Sequence, residues 1–233
     1  MDFLVEGLRE AFRLILSGDP QVIGATGRTL SISLSAVSAA ICLGLPVSLL
    51  LARRRFLGHR LLLILFRSLL GVPTVFLGLF CFGLFSRRGP LGPLDLLYTP
   101  SAIVIGETLL ALPIVIALAH GAFTALDPRI SETARTLGAG PLRRLLTYVA
   151  EARTGLILAV LTAFARCSTE LGIAMMVGGN LKDRTRTLAT ATALETGKGE
   201  FAVGLAMGGL LLLLATGMTL LVSALGKEGQ KST

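Results

Sequence analysis

Long apolar runs alternate with short polar ones along this chain, and that alternation predicts its elements. Five runs, at 29–52, 61–85, 101–123, 154–177 and 201–225, are dominated by apolar residues. Each is long enough to cross a hydrocarbon layer of roughly 30 Å, which takes about 20 helical residues. The pattern therefore predicts an all-α integral membrane fold with five transmembrane helices. Ahead of them, 3–17 has a different pattern. Leu4, Leu8, Ala11, Phe12 and Ile15 share one helical face, and Glu6, Arg9, Glu10 and Arg13 fill the other. A helix so charged lies in the membrane interface rather than across it, and Gly18-Asp19-Pro20 ends it. The expected organisation is an N-terminal amphipathic helix at 1–20, one transmembrane domain at 21–226 and a short tail at 227–233.

Polar and small residues inside the runs predict how the helices meet. Ser31, Ser33, Ser35 and Ser38 in the first run can bond back to the backbone or across to a neighbouring helix. Gly204, Gly208 and Gly209 in the last run suit close helix contact, and Pro46, Pro73 and Pro113 are predicted to kink their helices.

The longest polar interruption with a folded pattern is 127–153. Asp127 suits a helix N-cap and Pro128 a first helical position. Ile130, Ala134 and Leu137 then form one narrow apolar face. Arg129, Glu132 and Arg135 lie off it at spacings that allow weak ion pairs. Gly138, Gly140 and Pro141 end this helix, and a second starts near Leu142. The local reading is helix, glycine turn, helix, between two membrane spans. By spacing alone it is equally an amphipathic connecting loop.

Composition narrows the class. Of 233 residues 53% are hydrophobic and 15% charged, with no Trp, and the mean hydropathy is +0.77. That is too apolar for a soluble domain of this size. The net charge of +8, from 22 Lys+Arg against 14 Asp+Glu, reflects membrane topology, since no basic-aromatic module for nucleic acid accompanies it. Cys42, Cys81 and Cys167 stand far apart in apolar runs, read as small membrane-buried residues, and His59 and His120 are isolated in sequence. No metal, triad or G-x-x-x-x-G-K-[ST] spacing occurs, so the chain is expected to bind no cofactor and to hydrolyse no ATP by phosphate-loop chemistry. The first residues do not read as a signal peptide. If 127–153 is cytoplasmic, five spans put the N-terminus outside and the C-terminus inside. Eleven Lys and Arg then lie inside against nine outside, a weak positive-inside bias.

Four charges interrupt apolar runs: Arg67, Glu107, Arg166 and Glu170. A charge at the centre of a spanning helix costs about 2.5–3.5 kcal/mol on insertion scales, so each is expected to face protein or water. Arg166 and Glu170 are one helical turn apart and suited to pairing. They form either part of an anion pathway or a structural ion pair that locks the helix. Arg67 and Glu107 are a candidate pair across helices. Beyond the fourth run, Gly178, Gly179 and Asn180, with Thr185 and Arg186, read as a turn at the outer mouth, followed by a short helix near 187–196. Four basic residues there (Lys182, Arg184, Arg186 and Lys198) would draw an anion or an acidic partner.

Glu132-Thr133-Ala134, three residues and then Gly138 resembles the EAA loop of importer-class ABC-transporter permeases. The usual Leu-Pro ending is missing, and Glu151-Ala152-Arg153 stands near its place. The stretch 164–201 is similar to permease subunits of tungstate-type ABC importers. The resemblance rests on Phe164, Arg166, Glu170, Gly172, the Gly178-Gly179-Asn180 turn and the run 194–201. Molybdate and sulfate permeases look like near relatives. The resemblance implies a homodimer in the cell (inner) membrane and two cytoplasmic ATPase subunits, which carry the ATP and Mg. It also implies an extracytoplasmic oxyanion-binding protein and an ATPase-docking role for Asp127, Glu132, Thr133, Ala134, Gly138 and Gly140. The rivals are a molybdate or sulfate permease and, from another class, a stand-alone channel or secondary transporter.

Overall fold

A computed structural model describes Val5, Arg9, Phe12 and Arg13 together with residues 16–228. Most of the expected amphipathic helix at 1–20, including Leu4, Leu8 and Ile15, lies outside the described residues, as does the tail at 229–233. Among the described residues every regular element is helical: α1 (Pro20–Arg53), α2 (His59–Leu69), α3 (Thr74–Phe85), α4 (Pro100–Thr124), α5 (Pro128–Thr136), α6 (Pro141–Glu151), α7 (Arg153–Ser168), α8 (Gly172–Gly178), α9 (Leu188–Gly197) and α10 (Phe201–Glu228). A 3-10 turn at Gly92–Leu94 sits in the loop before α4.

The long helices α1 and α4 start in the same way. Asp19 accepts hydrogen bonds from the Gln21 and Val22 amides at 2.8 and 3.2 Å, and Thr99 accepts one from Ala102 at 3.3 Å. A proline follows each cap, where its missing N–H leaves nothing unpaired. The Asp19 cap lets α1 begin nine residues ahead of the apolar run that predicted it. Pro46 and Pro113 lie inside α1 and α4 without ending them. Both helices are long and apolar enough to cross a membrane.

These two helices pack along their length, and α7 completes the core against them. Val37 and Ala40 of α1 meet Ala111 and Val115 of α4 and Ala163, Phe164 and Cys167 of α7, all nearly inaccessible. Cys81 is buried in the neighbouring cluster, and Cys42 is exposed on the surface of α1, within a helix apolar enough to cross a membrane. His59 and His120, isolated in sequence, come together with ring centroids 6.3 Å apart.

Two of the expected spans are broken rather than kinked. The run 61–85 forms α2 and α3, bent by 103° at Leu70-Gly71-Val72-Pro73. Proline disfavours helical backbone at the preceding residue, and Pro73 becomes the extended N-cap of α3. The run 154–177 divides into α7 and α8 at Thr169-Glu170-Leu171. The two broken segments cross backbone to backbone. A Cβ on Gly78 would stand 3.0 Å from the Gly172 carbonyl, and one on Gly172 would stand 2.9 Å from the Val75 amide.

The ends of α1 show which elements cluster together. Near its start, Arg28 Nε donates to the Arg186 carbonyl at 2.8 Å, and Thr29 Oγ1 accepts from the Leu188 amide at 2.9 Å, tying α1 to the beginning of α9. At its other end, the Arg53 guanidinium lies 5.1 Å from the centre of the Tyr148 ring on α6. That ring stacks on Phe123 of α4, and its hydroxyl donates to the Phe123 carbonyl at 3.1 Å. The α5–α6 hairpin therefore shares an end of the bundle with Arg53. The 178–197 region occupies the end where α1 begins.

Candidate functional site

The hairpin is built by three local devices. Asp127 caps α5, its carboxylate accepting from the Arg129 amide at 2.8 Å. At the far end Gly138 takes φ +71°. The Leu137 amide donates to Thr133 and the Ala139 amide to Ala134, both at 3.0 Å, so the last carbonyls are satisfied by a left-handed glycine cap. Gly140 is the extended N-cap of α6, with Pro141 in its first turn. Glu132 and Thr133 are exposed, and Ala134 is half-buried. Arg129 and Glu132 make no ion pair among the described residues; the Arg135 side chain lies outside them.

Between the two helices is an open cleft of about 590 Å³ lined by Asp127, Ile130, Thr133, Ala134, Leu137 and Glu151, among others. The apolar stripe read from the sequence faces this cleft. Its end residue Leu137 is 80% exposed, and Leu142 and Leu146 on α6 are 67% and 60% exposed. The hairpin thus leaves an apolar stripe uncovered beside exposed polar residues.

The second site is the elbow between α7 and α8. Arg166 Nη1 donates to Glu170 Oε2 at 2.9 Å. The other carboxylate oxygen accepts from the Ile173 amide at 3.1 Å. Glu170 thus holds the arginine with one oxygen and the first turn of α8 with the other. Its side chain is 1% exposed, whereas that of Arg166 is 41% exposed. Glu107 of α4 is buried close by and accepts from Ser33 of α1 at 3.3 Å. Arg67 does not reach it: the arginine is exposed on α2, beside His120. His120 lies thirteen residues from Glu107 on α4, or about 20 Å at 1.5 Å per residue.

The residues read as an outer mouth mainly hold one another. Thr185 Oγ1 donates to the Gly178 carbonyl at 2.6 Å and accepts from the Leu181 amide at 2.9 Å. Arg186 donates to Asn180 Oδ1 at 3.2 Å, and Asn180 Nδ2 donates to the Thr190 carbonyl at 3.3 Å. Gly179, at φ +67°, carries no Cβ where one would strike the Tyr98 ring. Lys182 and Arg184 stay exposed, while Lys198 pairs with Glu195 at 3.0 Å. Sequence reasoning gave Tyr148 no role and did not pair Glu195, a member of the 194–201 run, with Lys198. An aromatic or acidic residue on a short helix carries no signal of the partner that tertiary packing brings.

No protein-family model matches the chain. It is 33% identical over 228 residues to the tungstate uptake system permease protein TupB of Peptoclostridium acidaminophilum, covering 98% of this chain and 100% of that protein. The chain belongs to the tungstate-uptake permease family of ABC importers. A second member, TupB of Campylobacter jejuni, is 37% identical over 215 residues, covering 92% of this chain and 90% of the relative. A probable anion ABC transporter permease protein of Haloferax volcanii is 35% identical over 217 residues, covering 91% and 92%. Among solved structures, the MetNI methionine ABC transporter in inward-facing conformations matches with a TM-score of 0.72 at 17% identity. That match covers 89% of this chain and 95% of the MetNI chain, and it shows the fold. As an importer permease the chain is a translocating membrane subunit, not an enzyme, and the stand-alone channel is set aside.

Proposed function

We propose that this permease carries tungstate, driven by a separate ATPase that docks on the α5–α6 hairpin. The observation that carries the reading is 33% identity along the whole length of a tungstate uptake permease. The hairpin geometry supports the docking assignment, because Leu137, Leu142 and Leu146 stay exposed beside polar Glu132 and Thr133. The assembly is a homodimer with two cytoplasmic ATPase subunits and an extracytoplasmic oxyanion-binding protein. ATP and Mg belong to the ATPase, and this chain binds no cofactor.

The transmembrane body is 21–226, crossed five times, with the N-terminus outside and the C-terminus cytoplasmic. In support, Arg53 and the hairpin share one end of the bundle, and the Arg28–Arg186 contact marks the other. ATP closes the ATPase pair, the hairpin passes that closure to α1 and α4 through Tyr148, and the spans switch access.

Proteoliposomes holding the complete complex with its binding protein test the reading. The expected result is ATP-dependent tungstate accumulation and co-purification of a phosphate-loop ATPase with this chain. Accumulation without ATP, or a chain that purifies free of any ATPase, would overturn it. Molybdate and sulfate offered in the same vesicles separate the rival oxyanions.

A further inference from the structure

The elbow pair has a geometry that a simple structural ion pair does not need. Arg166 stands midway along the apolar run 154–177, yet 41% of its side chain is accessible while its partner Glu170 is closed off. The arginine lines two open clefts at once. One, of about 740 Å³ between α4, α7 and α10, is lined by Ile114, Leu158, Thr162, Arg166, Thr169 and Thr219, among others. The other, of about 400 Å³ against α3 and α8, is lined by Thr74, Arg166, Thr169, Glu170, Gly172 and Met176, among others. Arg166 and Thr169 are common to both. Among the described residues Arg166 is the one charged residue lining the larger cleft, and the hydroxyls of Thr162, Thr169 and Thr219 already donate to carbonyls of their own helices. The guanidinium is therefore the chief hydrogen-bond donor facing that space.

A guanidinium has five N–H donors in a planar fork suited to oxyanions. Glu170 takes one of them, through Nη1, and no other side-chain bond to Arg166 occurs among the described residues. Glu170 also cancels the charge. A bare arginine in a low-dielectric cleft would hold a dianion tightly, and conduction needs a site weak enough to leave. Glu170 borders the smaller cleft but not the larger one, so an anion in the larger cleft meets the guanidinium donors without the counter-charge.

We propose that Arg166 is a transient way-station for a tetrahedral oxyanion between the two clefts, and that Glu170 weakens it so that the anion passes. The proposal rests on the oxyanion-import reading. Its test uses the whole complex with tungstate as the probe, read as uptake in proteoliposomes and as tungstate retained by the detergent-solubilised complex without its binding protein.

Wild-type uptake comes first, since its absence sinks the import reading itself rather than the way-station. Given wild-type uptake, Arg166→Gln is expected to lower tungstate uptake at least about tenfold, with subunit assembly and ATPase rate preserved. Arg166→Lys is expected to recover part of it. Glu170→Gln keeps a carbonyl oxygen for the Ile173 amide but leaves the arginine charge uncancelled. It is expected to retain tungstate at concentrations at least about tenfold lower than wild type and to turn over more slowly. Normal uptake by Arg166→Gln would overturn the proposal. So would loss of the homodimer in that variant, which would make the arginine an interface residue. Unchanged retention in Glu170→Gln, or full uptake by an Arg166→Glu/Glu170→Arg swap, would reduce the pair to a structural lock.

Discussion

The hairpin and the elbow both carry charge next to apolar helices, but they are built in opposite ways. The hairpin closes on itself: Asp127 bonds an amide two residues away, and Gly138 turns the chain with hydrogen bonds that stay within α5 and its cap. Its apolar stripe is left open. The elbow is held from outside by long-range packing, with Gly172 pressed on α3 and Glu107 of α4 close behind Glu170. Local closure leaves the hairpin's apolar stripe uncovered, whereas distant closure makes the elbow's backbone contacts and its buried Glu170 part of the fold. Substitutions in the hairpin should therefore cost transport, and backbone-contact substitutions in the elbow should cost stability.

The largest expected effect is at Gly138. A Cβ there meets nothing within 4 Å, so the chain by itself opposes a side chain only through its φ of +71°, a strain of about 1–2 kcal/mol. Gly138→Asp is expected to drop tungstate uptake to background while membrane insertion and the thermal midpoint of the body barely move. Unchanged uptake would remove the docking assignment.

Gly172→Val should do the reverse. Its side chain would press on the Val75 amide and Thr74 Oγ1 at about 3 Å, and overpacking of this kind costs about 1–3 kcal/mol. Thermal unfolding of the solubilised complex should shift downward, with uptake falling only in proportion to the folded fraction. If the midpoint holds, the elbow is looser than its geometry says.

Asp127→Ala removes a cap worth about 1 kcal/mol. A several-fold loss of uptake with an unshifted midpoint is expected, and a shifted midpoint would mean that the hairpin supports the body. Tyr148→Phe is the mildest. It keeps the stack on Phe123 and the Arg53 contact and loses one hydrogen bond, about 0.5–1.5 kcal/mol. A slight drop in ATP-coupled uptake is expected. A large one, with ATPase rate intact, would make the hydroxyl the joint between hairpin and spans.

How much was legible in the sequence follows the same division. Asp127 and Gly138 announced the hairpin because caps and glycine turns act over a few residues, and the structure puts both where the spacing placed them, whereas Gly140 and Pro141, read as ending α5, cap and start α6. Arg166 and Glu170 announced their pairing because one helical turn brings them together. The Arg67–Glu107 pairing failed because compatible charge says nothing about height along a helix. Pro73 announced a disturbance, but its 103° consequence depends on what α3 packs against.

The sequence by itself determined the helices, the membrane environment and the importer family, since hydropathy, caps and a long match to relatives are properties of the chain read in order. Only the tertiary structure decided where the two expected spans break and that α3 meets the start of α8 at Gly78 and Gly172. It also decided that Glu170 is hidden while Arg166 looks into two clefts. Those facts depend on which distant backbone occupies the space beside each residue, and no local periodicity encodes that.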